Sequence, residues 1–228
     1  MMAIVAFLCF TAFEKKGIVK YRTAAKGADR PKKDYKGLLQ RNIIQFSGIS
    51  MLTGIIRTAF VGFLSTYFYD YLKYSESQSA SIFSVATLII SFTTFIAIFI
   101  YERMGRNIHL STLIFFCVAA VFFCITCIIT NPIANIAAII IAIMASNAAT
   151  TMLWSVYCPS LCDTGLVSGI TGFLDFLSYA AAALASLLIP HLVELIHWRS
   201  IILVMAGLMT VGAVICVPHS VGKRCKTQ

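Results

Sequence analysis

Arg57 is the one charged residue in the stretch SMLTGIIRTAFVGFLSTYF, residues 50–68. An arginine at the centre of a membrane-spanning helix costs about 2.5–3.5 kcal/mol on insertion scales, so such a side chain faces a partner or a water-filled cavity. Its guanidinium offers planar, permanently charged, bidentate donors, which suit the oxygens of a phosphate group. If this stretch crosses a membrane, Arg57 is the leading candidate for an anion ligand.

The composition indicates that this stretch crosses a membrane. The chain is 59% hydrophobic with a mean hydropathy of +0.87, and 12% of its residues are charged, against about a quarter in soluble domains. Its apolar residues form six blocks of about twenty residues, the length that crosses roughly 30 Å of hydrocarbon and too long for barrel strands. The predicted fold is an all-α polytopic membrane protein, a bundle of six transmembrane helices near 43–71, 79–101, 108–130, 134–157, 166–190 and 200–218.

The positions of the cations predict the orientation of the bundle. Fifteen of the 18 Lys and Arg residues lie before the first span, in the loop between the second and third spans, or at the end of the chain. The positive-inside rule places these regions in the cytoplasm, with both ends of the six-helix unit there. The net charge of +9 then reflects topology and contact with an anionic lipid bilayer rather than binding of nucleic acid.

The chain divides into four predicted regions. Residues 1–13 are apolar but too short to span a membrane, and we interpret them as the remnant of a preceding transmembrane helix. Residues 14–42 form a basic cytoplasmic linker, 43–219 the six-helix bundle and 220–228 a basic cytoplasmic tail. This order suggests the second half of a twelve-span protein, with an N-terminal six-helix half as its missing partner.

A short motif, YERMGRN at 101–107, lies in the loop between the second and third spans. Gly105 permits a tight turn, and Glu102, Arg103 and Arg106 can pair with one another and interact with neighbouring helix ends. The plainer interpretation is an ordinary basic turn. In this position, however, the motif resembles the loop motif of the major facilitator superfamily. Proteins of that superfamily consist of two six-helix bundles joined by a long cytoplasmic loop, which the basic segment 14–42 resembles. The resemblance implies that these four residues form a gating loop.

The first span, IIRTAFVGFLSTYF, is similar to the seventh helix of the organophosphate:phosphate antiporters, which exchange glycerol phosphate or hexose phosphate. The resemblance implies that Arg57 is a phosphate ligand. The fifth span, TGLVSGITGFLDFLSY, resembles the glycine-rich eleventh helix of the same antiporters. Because small residues let helices approach closely, we expect its glycines to serve helix packing rather than binding: Gly165, Gly169 and Gly172.

Asp175 departs from those antiporters, which have a small residue at this position. Three interpretations stay open: a buried ion pair with Arg57, a functional carboxylate that competes for Arg57 or accepts a proton, or a shallower residue in cytoplasmic water. A carboxylate beside Arg57 would weaken an anion site, so Asp175 weighs against phosphate specificity.

Two further residues are candidate substrate ligands. Asn147 belongs to a polar cluster midway along the fourth span, a span that faces the cavity in the fold that this chain resembles. Tyr67 lies among tyrosines at the outer end of the first span; these most simply form an interfacial belt, although Tyr67 could reach inward. For Asn147, a polar contact between helices is an equally good interpretation.

The remaining residue types do not indicate catalysis. The pair Cys124-x-x-Cys127 lies inside a span without a second pair or a nearby His, and free apolar cysteines are the better interpretation. No metal, cofactor or enzyme activity is predicted. We expect a secondary transporter in the plasma (inner) membrane that exchanges a small-molecule anionic substrate, an organophosphate, for inorganic phosphate. The alternatives are transport of another anion or a sugar coupled to protons, and a non-transporting sensor or interaction protein.

Overall fold

A computed structural model describes residues 42–162 and 166–222, which belong to one compact unit, 33–228. The described residues form helices and turns without strands, and six helices are long and apolar enough to cross a membrane. These helices are α1 (Ile43–Asp70), α2 (Glu76–Arg103), α3 (Ile108–Ile128), α4 (Pro132–Ser160), α5 (Val167–Val193) and α6 (Leu195–Val217). The predicted fold class is confirmed, and each span ends within five residues of its predicted limits. Residues 1–41 and 223–228, with their predicted remnant helix, linker and most of the tail, lie outside the described residues.

Polar contacts join α1 to the last two spans. The Gln45 amide donates a hydrogen bond to the carbonyl of Ile215 in α6 at 3.1 Å. The Ser50 hydroxyl donates to the carbonyl of Leu174 in α5 at 2.6 Å. One turn after Ser50, Gly54 lies against Ser178 so closely that an added Cβ would overlap the Ser178 carbonyl oxygen. α1 is therefore fixed against α5 by hydrogen bonding and by direct contact of the two backbones.

α2 is the most exposed span. It begins with a capping box, in which the Ser75 hydroxyl accepts from the Gln78 backbone N–H and the Gln78 side chain accepts from the Ser75 N–H. The helix is interrupted at Phe92, where it divides into Glu76–Ser91 and Thr93–Arg103. Its buried residues are few and small: Ser79, Ala86, Thr93 and Ala97.

The turn between α3 and α4 is closed by asparagines. The Asn131 side chain accepts hydrogen bonds from the N–H groups of Ile133 and Ala134, and Pro132 occupies the first helical position, where its missing N–H costs nothing. The buried Asn135 amide donates to the carbonyls of Thr126 and Ile129 across the turn. These bonds satisfy the helix ends that would otherwise be unpaired.

Two irregularities occur in the last three spans. In α4 the segment Met152–Tyr157 is π-helical, and the Cys158 N–H accordingly bonds to the carbonyl of Leu153, five residues back. Pro159 follows directly, and because a proline lacks an N–H and clashes with the preceding turn, an irregular turn before it is expected. The helical run that contains α5 and α6 has a sharp break at His197, near the start of α6, where φ is 61°.

The outer surface of the bundle is apolar. Many large side chains are well exposed, including Phe95 and Ile133, at 74% and 75% exposure. Monomeric soluble proteins rarely expose contiguous apolar patches larger than a few hundred Å². The surface therefore agrees with spans that lie in lipid, as their composition predicts.

Candidate functional site

Arg57 lies near the middle of α1 and is half-buried. Its guanidinium carbon is 5.0 Å from the centre of the Tyr179 ring of α5, within the range of a cation–π contact. In the part of the chain that the structure describes, no carboxylate lies within 4.0 Å of Arg57. The ion pair found among the described residues is in the loop motif, between Glu102 and Arg106. The positive charge of Arg57 thus rests on an aromatic face rather than on a carboxylate.

Arg57 lines a cavity of about 190 Å³ between α1, α2 and α4. The polar members of its wall come from all three helices: Arg57, Thr87, Ser146 and Asn147. The predicted ligands Arg57 and Asn147 therefore share one cavity, although they are 90 positions apart in the sequence. The other wall residues are apolar: Ile56, Phe60, Val61, Leu64, Phe83, Ile90 and Ile143.

The polar wall residues differ in what they can offer a ligand. The Thr87 hydroxyl donates to the carbonyl of Phe83 at 2.8 Å, so its proton is already used inside α2. The Asn147 side chain is partly exposed and makes no hydrogen bond within the described residues. The Arg57 guanidinium and the Asn147 amide are consequently available as donors, and both suit the oxygens of an anion.

Asp175 lies on α5 and is exposed. Of the three interpretations of Asp175, the buried ion pair is not found in the described structure, where Arg57 is in contact with the Tyr179 ring of the same helix. Asp175 precedes Tyr179 by one helical turn, so both side chains project from the same face of α5. The carboxylate is near the arginine's aromatic partner but outside the cavity wall.

Tyr67 is buried and does not line the Arg57 cavity. Its hydroxyl lies 2.7 Å from Asn135 Oδ1 in α4 and donates a hydrogen bond to it. Its ring stacks on Tyr71 and meets the edge of Trp198, at centroid distances of 5.1 and 5.6 Å. In this structure Tyr67 joins α1, α4 and α6 and has no free hydroxyl to offer a substrate in the Arg57 cavity.

The loop motif forms a tight turn. Gly105 and Arg106 both have positive φ, 68° and 59°, which explains the glycine. Arg106 lies 4.0 Å from Glu102, and both side chains are exposed, so the pair adds little stability. Arg103 lies over the Phe99 ring at 5.3 Å.

The residue that follows this motif is Asn107, at a position where the loop motif that it resembles commonly has a further cation. Its side chain instead caps α3 by accepting from the Leu110 N–H at 3.3 Å. The departure from the family pattern therefore has a structural use at the start of a helix.

The glycines expected to pack are not in helix contacts within the described residues. Gly169 and Gly172 are exposed, and a Cβ added at either would meet nothing within 4 Å; Gly165 lies outside the described residues. The close approaches are made by two other glycines. Gly54 lies against Ser178, and Gly212 lies against the Phe116 ring, 3.0 Å from where its Cβ would be.

Sequence reasoning missed Tyr179 as a neighbour of Arg57. The available signal was its position one turn after Asp175, inside a span, on the face that already carried a charged residue. Among the described residues, no group of three or more His, Cys, Asp or Glu side chains is arranged to hold a metal ion.

The fold and cavity define a class of protein: an integral membrane helix bundle with a cationic and an amide side chain in a cavity between its spans. The chain belongs to the Major Facilitator Superfamily, whose family model matches residues 1–185. Members of this family are membrane transporters, and the sequence prediction that the chain is not an enzyme is consistent with this. No curated protein and no solved structure matches the chain.

Proposed function

We propose that this chain is one half of a secondary transporter that exchanges an organophosphate for inorganic phosphate, with Arg57 as the phosphate ligand. The observation that carries the proposal is the cavity shared by Arg57 and Asn147, in which the described residues place no carboxylate within 4.0 Å of the guanidinium. The similarity of α1 to the seventh helix of the organophosphate:phosphate antiporters supports it.

Binding would replace one partner of Arg57 by another. The guanidinium lies against the Tyr179 ring, a contact worth about 0.5–2 kcal/mol. A phosphate can accept two parallel N–H bonds from the fork, and hydrogen bonds to charged groups are worth about 1.5–3 kcal/mol each. The phosphate therefore competes well for Arg57, and the Asn147 amide can donate to a further oxygen.

The remaining parts of the proposal follow the family resemblance. An N-terminal six-helix half completes the cavity, and substrate binds at the midplane between two halves that rock around it. The basic segment 14–42 is a cytoplasmic linker, both ends of the bundle are cytoplasmic, and the turn of Glu102, Arg103, Gly105 and Arg106 gates one conformation. The protein resides in the plasma membrane.

The test measures binding of inorganic phosphate and glycerol phosphate to the complete transporter that contains this chain. Arg57→Ala removes the charge. Arg57→Lys keeps the charge but replaces the planar, bidentate guanidinium by a compact ammonium group. We expect Arg57→Lys to weaken phosphate binding by about tenfold or more and Arg57→Ala to abolish it. The matched control is Arg199→Ala, which removes an exposed arginine outside the cavity. Wild-type affinity in either Arg57 variant would overturn the proposal.

A second candidate function is proton-coupled transport of another anion or a sugar, with Asp175 as the proton acceptor. The exposed position of Asp175, one turn from the Tyr179 ring that holds Arg57, favours it. Uptake would then depend strongly on pH in the wild type and lose that dependence in Asp175→Asn. Uptake with the same pH profile in both proteins would exclude this candidate.

A further inference from the structure

The walls of the Arg57 cavity are polar at one end and apolar at the other. Arg57, Ser146 and Asn147 each lie about 14 residues, roughly 20 Å, from the turns where α1 meets α2 and where α3 meets α4. Consecutive spans run in opposite directions, so these three residues occupy the same depth. Thr87, whose hydroxyl donates to a carbonyl of its own helix, lies about 5 Å nearer to those connecting turns, the rise of one helical turn.

Apart from Thr87, the cavity wall between that depth and the turns is apolar. Along α1, Val61 and Leu64 follow Arg57 by one and two helical turns. Phe83 in α2 and Ile143 in α4 lie one to two helical turns from the depth of Arg57, in the same direction. From Arg57 to Leu64 the helix rises about 10 Å. None of these four side chains can hydrogen-bond a hydroxyl group.

Part of this apolar wall is held in place. Leu64 is buried, and Phe60 is stacked on Phe123 of α3 with ring centroids 5.2 Å apart and planes 4° from parallel. Because packed side chains of this kind change position only at a cost, the α1 part of the apolar wall is a preformed part of the cavity.

We infer that the substrate is a phosphate monoester with an apolar organic group, oriented with the phosphate at Arg57 and the organic group toward Leu64 and Phe83. This inference rests on the proposed function and specifies its substrate class. A polyol such as glycerol would bury hydroxyl groups against side chains that cannot pair with them, which weakens its binding. An apolar group instead gains binding free energy for each CH₂ that is removed from water.

The test compares glycerol phosphate with propyl phosphate, which have the same carbon chain and phosphate and differ by two hydroxyl groups. Their affinities for the complete transporter are measured beside those of inorganic phosphate, phenyl phosphate and decyl phosphate. We expect propyl phosphate to bind about tenfold more tightly than glycerol phosphate, and phenyl phosphate at least as tightly as propyl phosphate. Equal or tighter binding of glycerol phosphate would overturn the inference.

Decyl phosphate distinguishes a cavity ligand from a membrane lipid. A cavity of about 190 Å³ accepts a small organic group, so affinity should fall from phenyl to decyl phosphate. An affinity that continues to rise with chain length would indicate partition into lipid or detergent and would also overturn the inference.

A variant locates the effect at the wall. Val61→Thr preserves the shape of an exposed cavity residue and adds a hydroxyl, so it should narrow the ratio of propyl phosphate affinity to glycerol phosphate affinity about threefold. Val85→Thr makes the same change at an exposed position of α2 outside the cavity and should leave the ratio unchanged. A ratio that Val61→Thr does not move would contradict the proposed orientation.

Failure of this inference and failure of the proposed function have different signatures. If inorganic phosphate binds and its binding depends on Arg57, the proposed function stands whichever organic group is preferred. If no phosphate compound binds in an Arg57-dependent way, the proposed function fails and the inference fails with it.

Discussion

α1 and α2 line the same cavity, but the bundle holds them differently. α1 is half-buried over its most apolar stretch, hydrogen-bonds to α5 and α6 through Ser50 and Gln45, and touches the α5 backbone at Gly54. α2 is 17% buried over its most apolar stretch, is interrupted at Phe92, and keeps the Ser79 hydroxyl buried without a partner. Helices in lipid associate through close packing and hydrogen bonds, because lipid itself is apolar. The comparison indicates that the cavity has a fixed wall, which carries Arg57, and a weakly held wall.

The largest effect should come from filling the contact that fixes α1. In Gly54→Ala the added Cβ would overlap the Ser178 carbonyl oxygen and lie 2.7 Å from its hydroxyl oxygen. The two helices must then separate, and we expect a loss of about 2 kcal/mol or more in the free energy of unfolding. Thermal unfolding of the purified protein in detergent measures this loss.

Gly62→Ala is the matched control on the same helix. A Cβ at Gly62 meets nothing within 4 Å, and alanine favours a helix over glycine by about 1 kcal/mol in the helix interior. Equal unfolding temperatures for the two variants would show that the contact at Gly54 does not hold α1 in place.

An intermediate loss of stability is expected from a change at Tyr67, near the C-terminal end of α1. Tyr67→Phe removes the hydrogen bond to Asn135 and leaves the buried Asn135 Oδ1 without that donor, which costs about 1–2 kcal/mol. Tyr69→Phe, at an exposed tyrosine of the same helix, should have no effect. Phosphate affinity should be unchanged in both variants; a phosphate-binding defect confined to Tyr67→Phe would restore Tyr67 as a substrate ligand.

The smallest effects compare the two walls directly. Ser50→Ala removes a hydrogen bond to the Leu174 carbonyl and should cost about 1 kcal/mol. Ser79→Ala removes a buried hydroxyl with no partner, so it should be neutral or slightly stabilising. Unfolding temperatures of the two variants test the difference, and a larger loss in Ser79→Ala would mean that α2 is held as firmly as α1.

The six spans could be predicted because each is a long apolar block, and length alone distinguishes such a block from its surroundings. The turn at Gly105 was predictable for a similar reason, since positive φ favours glycine. Both features depend on residues that are close together in the sequence.

The contacts between spans were not predictable in the same way. Nothing in the sequence distinguishes Gly54, which touches another backbone, from Gly169 and Gly172, which do not, because the difference depends on how the helices are rotated. The bond from Tyr67 to Asn135 joins residues 68 positions apart. Composition fixes which segments cross the membrane, whereas rotation of each helix decides which of its polar side chains meet.

The π-helical turn at Met152–Tyr157 also changes how α4 must be mapped. Such a turn is equivalent to one extra residue inserted into an α-helix, so the positions after it are offset by one from a regular helical wheel. Asn147 lies before the insertion and Tyr157, which stacks on Phe46 at 3.6 Å, lies at its end. A single wheel drawn through α4 therefore assigns one of these two residues to the wrong face, and probes or crosslinks along this span need a separate register on each side of Met152–Tyr157.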